Sequence, residues 1–165
     1  MTAEHLGSVH ADGDARTVAF ERRLAAPPEE VWSALTERDR LARWLTDVTI
    51  EPRPGGEVVI DFGDEGQNRG AVLAWEPPRV LEYSWIWPGV HDSVVRFDLA
   101  PDGDGTLLRF EHRAVAPRVA GDHGSGWHAY LDALADLVEG RPPGSWSERE
   151  ESVRAAYESQ AAALP

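Results

Sequence analysis

Apolar positions along the chain change their period twice, and those changes outline the fold. From Thr17 to Leu24 they alternate, with Val18, Phe20 and Leu24 on one side and Glu21 and Arg23 on the other, which predicts a half-buried strand. Arg22 falls on the apolar side, either as a strand-end arginine snorkelling to water or as a cation at a cavity edge facing an acidic ligand. Ala25-Ala26-Pro27-Pro28 then turns the chain. Pro28 with Glu29 and Glu30 suits a first helical turn, since proline lacks only a donor the helix does not use and carboxylates favour its positive end. Val31, Trp32 and Leu35 stripe this short helix, and Leu41, Trp44 and Leu45 stripe a second one over 38–45, with Thr36 or Asp39 between them as turn or cap.

From Thr46 the period becomes two. Val48 and Ile50 share a strand face, Pro52 to Gly56 make a turn, and 57–62 returns as a strand. Gly63 to Gly66 turns again, 69–75 is the next strand, and Glu76-Pro77-Pro78 breaks it. Over 79–87, Leu81, Tyr83, Trp85 and Trp87 occupy one face, and Pro88-Gly89 ends the run. Val95, Phe97 and Leu99 mark another strand, Pro101 to Gly105 a hairpin loop, and 107–113 the last strand, with Leu108, Phe110 and His112 inward. Hairpin-linked strands predict an antiparallel meander of about six or seven strands, two short helices following the first.

The second change of period comes at Asp122 to Glu139. Trp127, Tyr130, Leu131, Leu134, Leu137 and Val138 recur at three and four, one wide face of a helix, with His128, Asp132, Asp136 and Glu139 turned away. Asp122 or Ser125 caps its start, and Gly140 followed by Arg141-Pro142-Pro143 ends it. A long helix with so wide an apolar face needs a concave sheet to lie in, so the fold class expected is α+β. Ser147 followed by Glu150 reads as a capping box for a further helix over 147–163, with Trp146, Val153, Ala156 and Tyr157 as its packing residues, folded back on the domain or docked on a partner subunit. The organisation expected is a frayed tail over 1–15, one domain over 16–143 and a helical appendage over 144–165.

Composition narrows the functions. Net charge is −13, from 29 acidic and 16 basic residues, which repels phosphate backbones and argues against nucleic acid and anionic membranes as partners. No apolar run reaches the ~20 residues of a membrane span, and without cysteine neither disulfides nor thiolate chemistry are available, so a cytoplasmic protein is expected. Seven tryptophans suit either a large core or an aromatic-lined cavity.

The segment 22–45, with Ala26-Pro27, Val31-Trp32, Ala34-Leu35-Thr36 and Trp44, resembles the opening of START-like (SRPBCC, birch-pollen-allergen-like) domains. It is similar above all to the branch named after the activator of the ninety-kilodalton heat-shock protein's ATPase. Pro54-Gly55-Gly56, the strand entry Pro77 to Leu81, Trp85, and Gly126-Trp127 with Leu131 and Leu134 extend the resemblance over 18–139. It implies a helix-grip fold, a curved antiparallel sheet around a long C-terminal helix. Its members include carriers of hydrophobic ligands, cyclases and a co-chaperone.

Such folds enclose a pocket between helix and sheet. The candidate lining is Trp44, Phe62, Tyr83, Trp85, Trp87, Phe97, Phe110, His112, Trp127, Tyr130, Leu131 and Leu134, each of which is equally readable as plain core. His112 is the titratable group that alternation turns inward, either an acid or base acting on a bound carbonyl or a neutral imidazole satisfied by its neighbours. Asp61 falls on the opposite face. His5, His10, Glu4 and Asp12 in the tail, or His91, Asp92 and His123 at a pocket mouth, are too sparse to define a metal site, and no phosphate loop, G-x-S-x-G or H-E-x-x-H motif occurs; no cofactor is expected. Three functions compete: a binder of a small hydrophobic molecule, a cyclase or hydratase using His112 with Tyr83 or Tyr130, and a chaperone-directed interaction module. A homodimer is compatible with each.

Overall fold

A computed structural model describes residues 5–90 and 92–165. Strands β1 (Ser8–Asp12) and β2 (Ala15–Leu24) precede helices α1 (Pro28–Thr36) and α2 (Arg38–Trp44). Six further strands follow: β3 (Asp47–Ile50), β4 (Glu57–Asp61), β5 (Gln67–Glu76), β6 (Val80–Trp85), β7 (Ser93–Asp102) and β8 (Gly105–Val115). The chain ends with α3 (Ala120–Val138) and α4 (Trp146–Ala162). Among the described residues the eight strands form one antiparallel sheet in the order β1-β2-β8-β7-β6-β5-β4-β3. The chain thus closes its first hairpin beside its last, with β2 on β8 in the register Phe20 to Phe110 and Arg22 to Leu108. Sheets this wide twist and curl, and α3 fills the concavity, so the helix-grip fold is what the chain adopts.

The core where sheet and helix meet is aromatic. Phe97 and Phe110 lie 5.1 Å apart, and Phe110 lies 4.4 Å from Trp127 of α3. Val18, Val95, Leu108, Leu131 and Leu134 close the gaps between them and are fully buried. Burying each of these large side chains stabilises by roughly 1.5–3 kcal/mol. On the far side, the Trp44 indole N–H donates to the Ala34 carbonyl at 2.8 Å, pinning α2 to α1.

Three expectations are corrected. The tail expected over 1–15 holds β1, which pairs with β2 across a tight turn and is covered along its outer edge by the far end of the chain. The Tyr157 hydroxyl accepts from the Gly7 amide at 2.7 Å, and Gln160 Oε1 accepts from the Val9 amide at 2.8 Å. Residues 1–4 lie outside the described residues. Second, the outward face of α3 differs: α4 folds back on the domain, one of its two expected placements, and crosses α3 at Gly124, where any Cβ would stand 2.6 Å from the Tyr157 ring. Under that crossing His128 and Asp136, expected outward, are buried. Third, the helix starts differ. α3 begins at Ala120 after a single 3₁₀ turn (Pro117–Val119), without a side-chain cap. α4 is capped by Ser145, which accepts from the Glu148 amide, while Glu150 turns inward to accept from Ser125 at 2.7 Å. The far end of α3 closes as its composition predicts. Gly140 takes φ +74° and the Arg141 amide returns to the Asp136 carbonyl at 2.8 Å.

Candidate functional site

At one end of the sheet the packing opens. β8 carries one extra residue opposite β2, since Arg16 pairs with Val115 while Val18 pairs with His112. Ala114 takes up the bulge at φ +59°. The bulge reverses the inward phase, so His112 and Val115, three residues apart, are both buried. From there the 3₁₀ turn carries the chain into α3. The gap between these elements and the ends of β4, β6 and β7 is a cavity of about 290 Å³.

Phe62, Trp85, Trp87 and Tyr130 supply its aromatic walls, and Val90, Val115, Ala116 and Val119 its aliphatic ones. The polar lining is Glu65, Ser93 and His123. Tyr130 also packs between Trp127, edge-on at 5.8 Å, and Trp146, tilted at 5.2 Å. Burial pushes its hydroxyl up to about 12, and the nearby Glu65 carboxylate adds to the shift.

His112 sits behind this wall. Trp127 Nε1 can only donate, and does so to His112 Nδ1 at 3.0 Å, so the proton is on Nε2. That N–H reaches Ser93 Oγ at 2.7 Å, and the Ser93 hydroxyl donates in turn to the Trp85 carbonyl at 3.1 Å. Both ring nitrogens are engaged. Burial, with a neighbouring imidazole at 4.9 Å, holds His112 well below its ordinary value, hence neutral. It has no lone pair to offer a substrate, and the reading as an imidazole satisfied by its neighbours is the one the geometry fits.

That neighbour, His123, is the imidazole that lines the cavity. Its Nδ1 donates to the Val119 carbonyl at 2.9 Å, which leaves Nε2 as an acceptor with no hydrogen bond to any described residue. Burial lowers its affinity for protons.

The expected lining therefore divides. Phe62, Trp85, Trp87 and Tyr130 meet at the cavity and His112 stands one hydrogen bond away, while Trp44, Tyr83, Phe97, Phe110, Trp127, Leu131 and Leu134 are close-packed core. Glu65, Val90, Ser93, Val115, Ala116 and Val119 belong to the wall without having been anticipated as lining, and His123, considered at a pocket mouth only as a sparse metal ligand, lines it from α3. For His123 a signal existed: positions 123, 127 and 130 are spaced i, i+4, i+7 and share one face of α3. The bulge that recruits Val115 and Ala116 has no such signature.

Arg22 takes neither of its two expected roles at this cavity. It is buried beneath α3, donating to Asp132 Oδ1 at 2.7 Å and to the His5 carbonyl at 3.0 Å. It lines a second, charged recess of about 570 Å³, where Glu21, Asp132, Asp136 and Glu139 balance Arg22, Arg23, Arg141 and Arg149. Among the described residues no three His, Cys, Asp or Glu converge as metal ligands; His91 lies outside them. No helix among the described residues is long and apolar enough to cross a membrane.

A curved antiparallel sheet gripping one long helix places the molecule in the START-like class. Residues 25–139 match the family described as activator of Hsp90 ATPase homolog 1-like protein, and the chain belongs to that family. Among solved structures it is similar to CalU16 from Micromonospora echinospora, with 30% identity, 97% of this chain and 98% of that one covered, and a TM-score of 0.79. Protein MLL2253 from Mesorhizobium loti is 33% identical, with 77% and 99% covered and a TM-score of 0.71. The Aha1 dimer from Colwellia psychrerythraea is 21% identical, with 74% and 96% covered and a TM-score of 0.67, and shares the fold. No curated protein matches the sequence significantly.

Proposed function

We propose that the protein binds a small apolar molecule in the cavity between the sheet end and α3 and leaves it chemically unchanged. The observation that carries this is a space of about 290 Å³, walled by four aromatic side chains, in a molecule otherwise packed tightly around Phe97, Phe110 and Trp127. Its size lies at the lower end of the ~300–1,000 Å³ usual for ligand pockets, favouring one or two rings over a long acyl chain. A related structure, DynU16 of the dynemicin biosynthetic locus, is 26% identical, which supports a small metabolite as occupant. The decisive measurement is native mass spectrometry of protein purified from its own host. A co-purified small molecule, displaced by added aromatic compounds, is expected. Bare protein together with no uptake of any aromatic probe would end the reading.

One observation favours an enzymatic alternative: His123 presents an unprotonated Nε2 in the cavity wall. A cyclase or hydratase would use it, and not His112, as base. Replacing His123 by alanine separates the two readings. A binder keeps its affinity within about tenfold, whereas an enzyme loses on the order of a hundredfold or more in rate. A chaperone-directed role has only the family description behind it, and a pull-down at low and high salt tests it. Sedimentation velocity tests the homodimer.

A further inference from the structure

Resting on that reading of the cavity, we propose that its ligand is a cation, an alkylammonium group on an apolar body, caged by Phe62, Trp85, Trp87 and Tyr130. The Phe62 ring stands 6.1 Å from Trp85 at 55° and 5.8 Å from Trp87 at 62°. Rings so steeply inclined bound a corner on several sides instead of forming a flat slot for a stacked ring. Indole, phenyl and phenol faces are negative, and a desolvated alkylammonium among them is attracted by each.

The charge of the wall points the same way, for its one formal charge among the described residues is negative. Glu65 brings a carboxylate to the mouth and makes no ion pair or hydrogen bond with any described residue. His123 brings a lone pair on Nε2. Ser93 has already given its hydrogen to the Trp85 carbonyl, so the side-chain donors left among the described lining residues are neutral: the Tyr130 hydroxyl and the indole N–H groups of Trp85 and Trp87. Among the described residues no arginine lines the cavity; Arg118, next to the lining Val119, donates to the Gly89 carbonyl at 3.4 Å. Within the cavity an anion would meet no cationic side chain among the described lining residues, and a neutral molecule would leave the Glu65 carboxylate unused. A net charge of −13 draws cations to the mouth over a longer range.

The test uses three probes of one shape class, followed by tryptophan fluorescence and calorimetry on the full chain: benzyltrimethylammonium, its uncharged isostere neopentylbenzene, and phenylacetate. The cation is expected to bind about tenfold or more tighter than the neutral probe, with phenylacetate weakest. Glu65→Gln should weaken the cation at low salt several-fold more than it weakens neopentylbenzene. Trp87→Leu, which keeps apolar bulk and removes the ring, should erase most of the preference while the neutral probe moves less than threefold. Equal or tighter binding of neopentylbenzene overturns the cage and leaves the apolar-ligand reading standing. Failure of all three probes overturns both. Glu65 is exposed in a turn, so its variant folds even if Trp87→Leu does not.

Discussion

Ala114 holds a backbone conformation that an L residue adopts at a cost of about 1–2 kcal/mol, and it does so at the bulge that turns Val115 toward the cavity. Glycine removes that cost, although the more flexible unfolded chain returns part of it. Ala114→Gly is therefore expected to raise stability by about 1 kcal/mol, a gain of ~2–4 °C in thermal midpoint for a chain of this size. Ala114→Val should lower it by more. A glycine variant that melts earlier than the parent would show that the bulge is held by something other than tolerated strain. The buried histidines give a second residue-scale expectation. His128 accepts the Tyr157 hydroxyl proton at Nδ1, and burial lowers it to about 4 from an ordinary value near 6.5. His112 is shifted the same way. Both are neutral in the folded state and protonate more readily unfolded, so stability is complete above pH 6.5 and declines as pH falls toward 4. The slope approaches ~1.4 kcal/mol per pH unit for each histidine. Urea midpoints at pH 7.0, 5.5 and 4.5 should fall in that order, and a flat series would contradict the neutral assignments.

At the scale of elements, the pieces joined by short hairpins were readable because their partners are near in sequence. Leu81, Tyr83 and Trp85 alternate on β6, Val95, Phe97 and Leu99 answer them on β7, and the pairing of Leu81 with Phe97 follows. The cavity's aromatic walls were partly readable for the same reason, as continuations of those faces into Trp87 and across to Tyr130. What stayed hidden depends on contacts about 150 residues apart or on a one-residue shift. β1 has a single buried apolar residue, Val9; it pairs with β2 across the Gly13-Asp14 turn, and α4 covers its outer edge, where Tyr157 and Gln160 take the Gly7 and Val9 amides. No periodicity within either segment could announce that edge contact. Tyr157→Phe tests it. The change leaves the Gly7 amide without its acceptor and His128 Nδ1 without its donor, at a cost of about 1–3 kcal/mol. Hydrogen exchange should accelerate at residues 7–12 well before the β7–β8 pair is affected. Uniform loss of protection across the sheet would mean that α4 supports the whole domain and not this edge in particular.

For the molecule as a whole, stability and function make opposite demands on one volume. A domain of this size buries enough apolar surface to fold with a void at one end, and the aromatic core around Phe110 supplies the margin. Filling the void should therefore help folding and harm binding. Val119 suits the experiment because it lines the cavity from the 3₁₀ turn, half-buried, outside both the sheet ladder and the α3 core face. Val119→Phe adds a ring directed at space that already accommodates rings. The expected result is a thermal midpoint equal to or a few degrees above the parent, as cavity-filling substitutions commonly gain ~0.5–2 kcal/mol. Uptake of neopentylbenzene and benzyltrimethylammonium should meanwhile weaken by at least about tenfold. A stable variant that still binds both probes at parental affinity would place them elsewhere on the molecule. The charged recess around Arg22 and Asp136 would then be the next place to look.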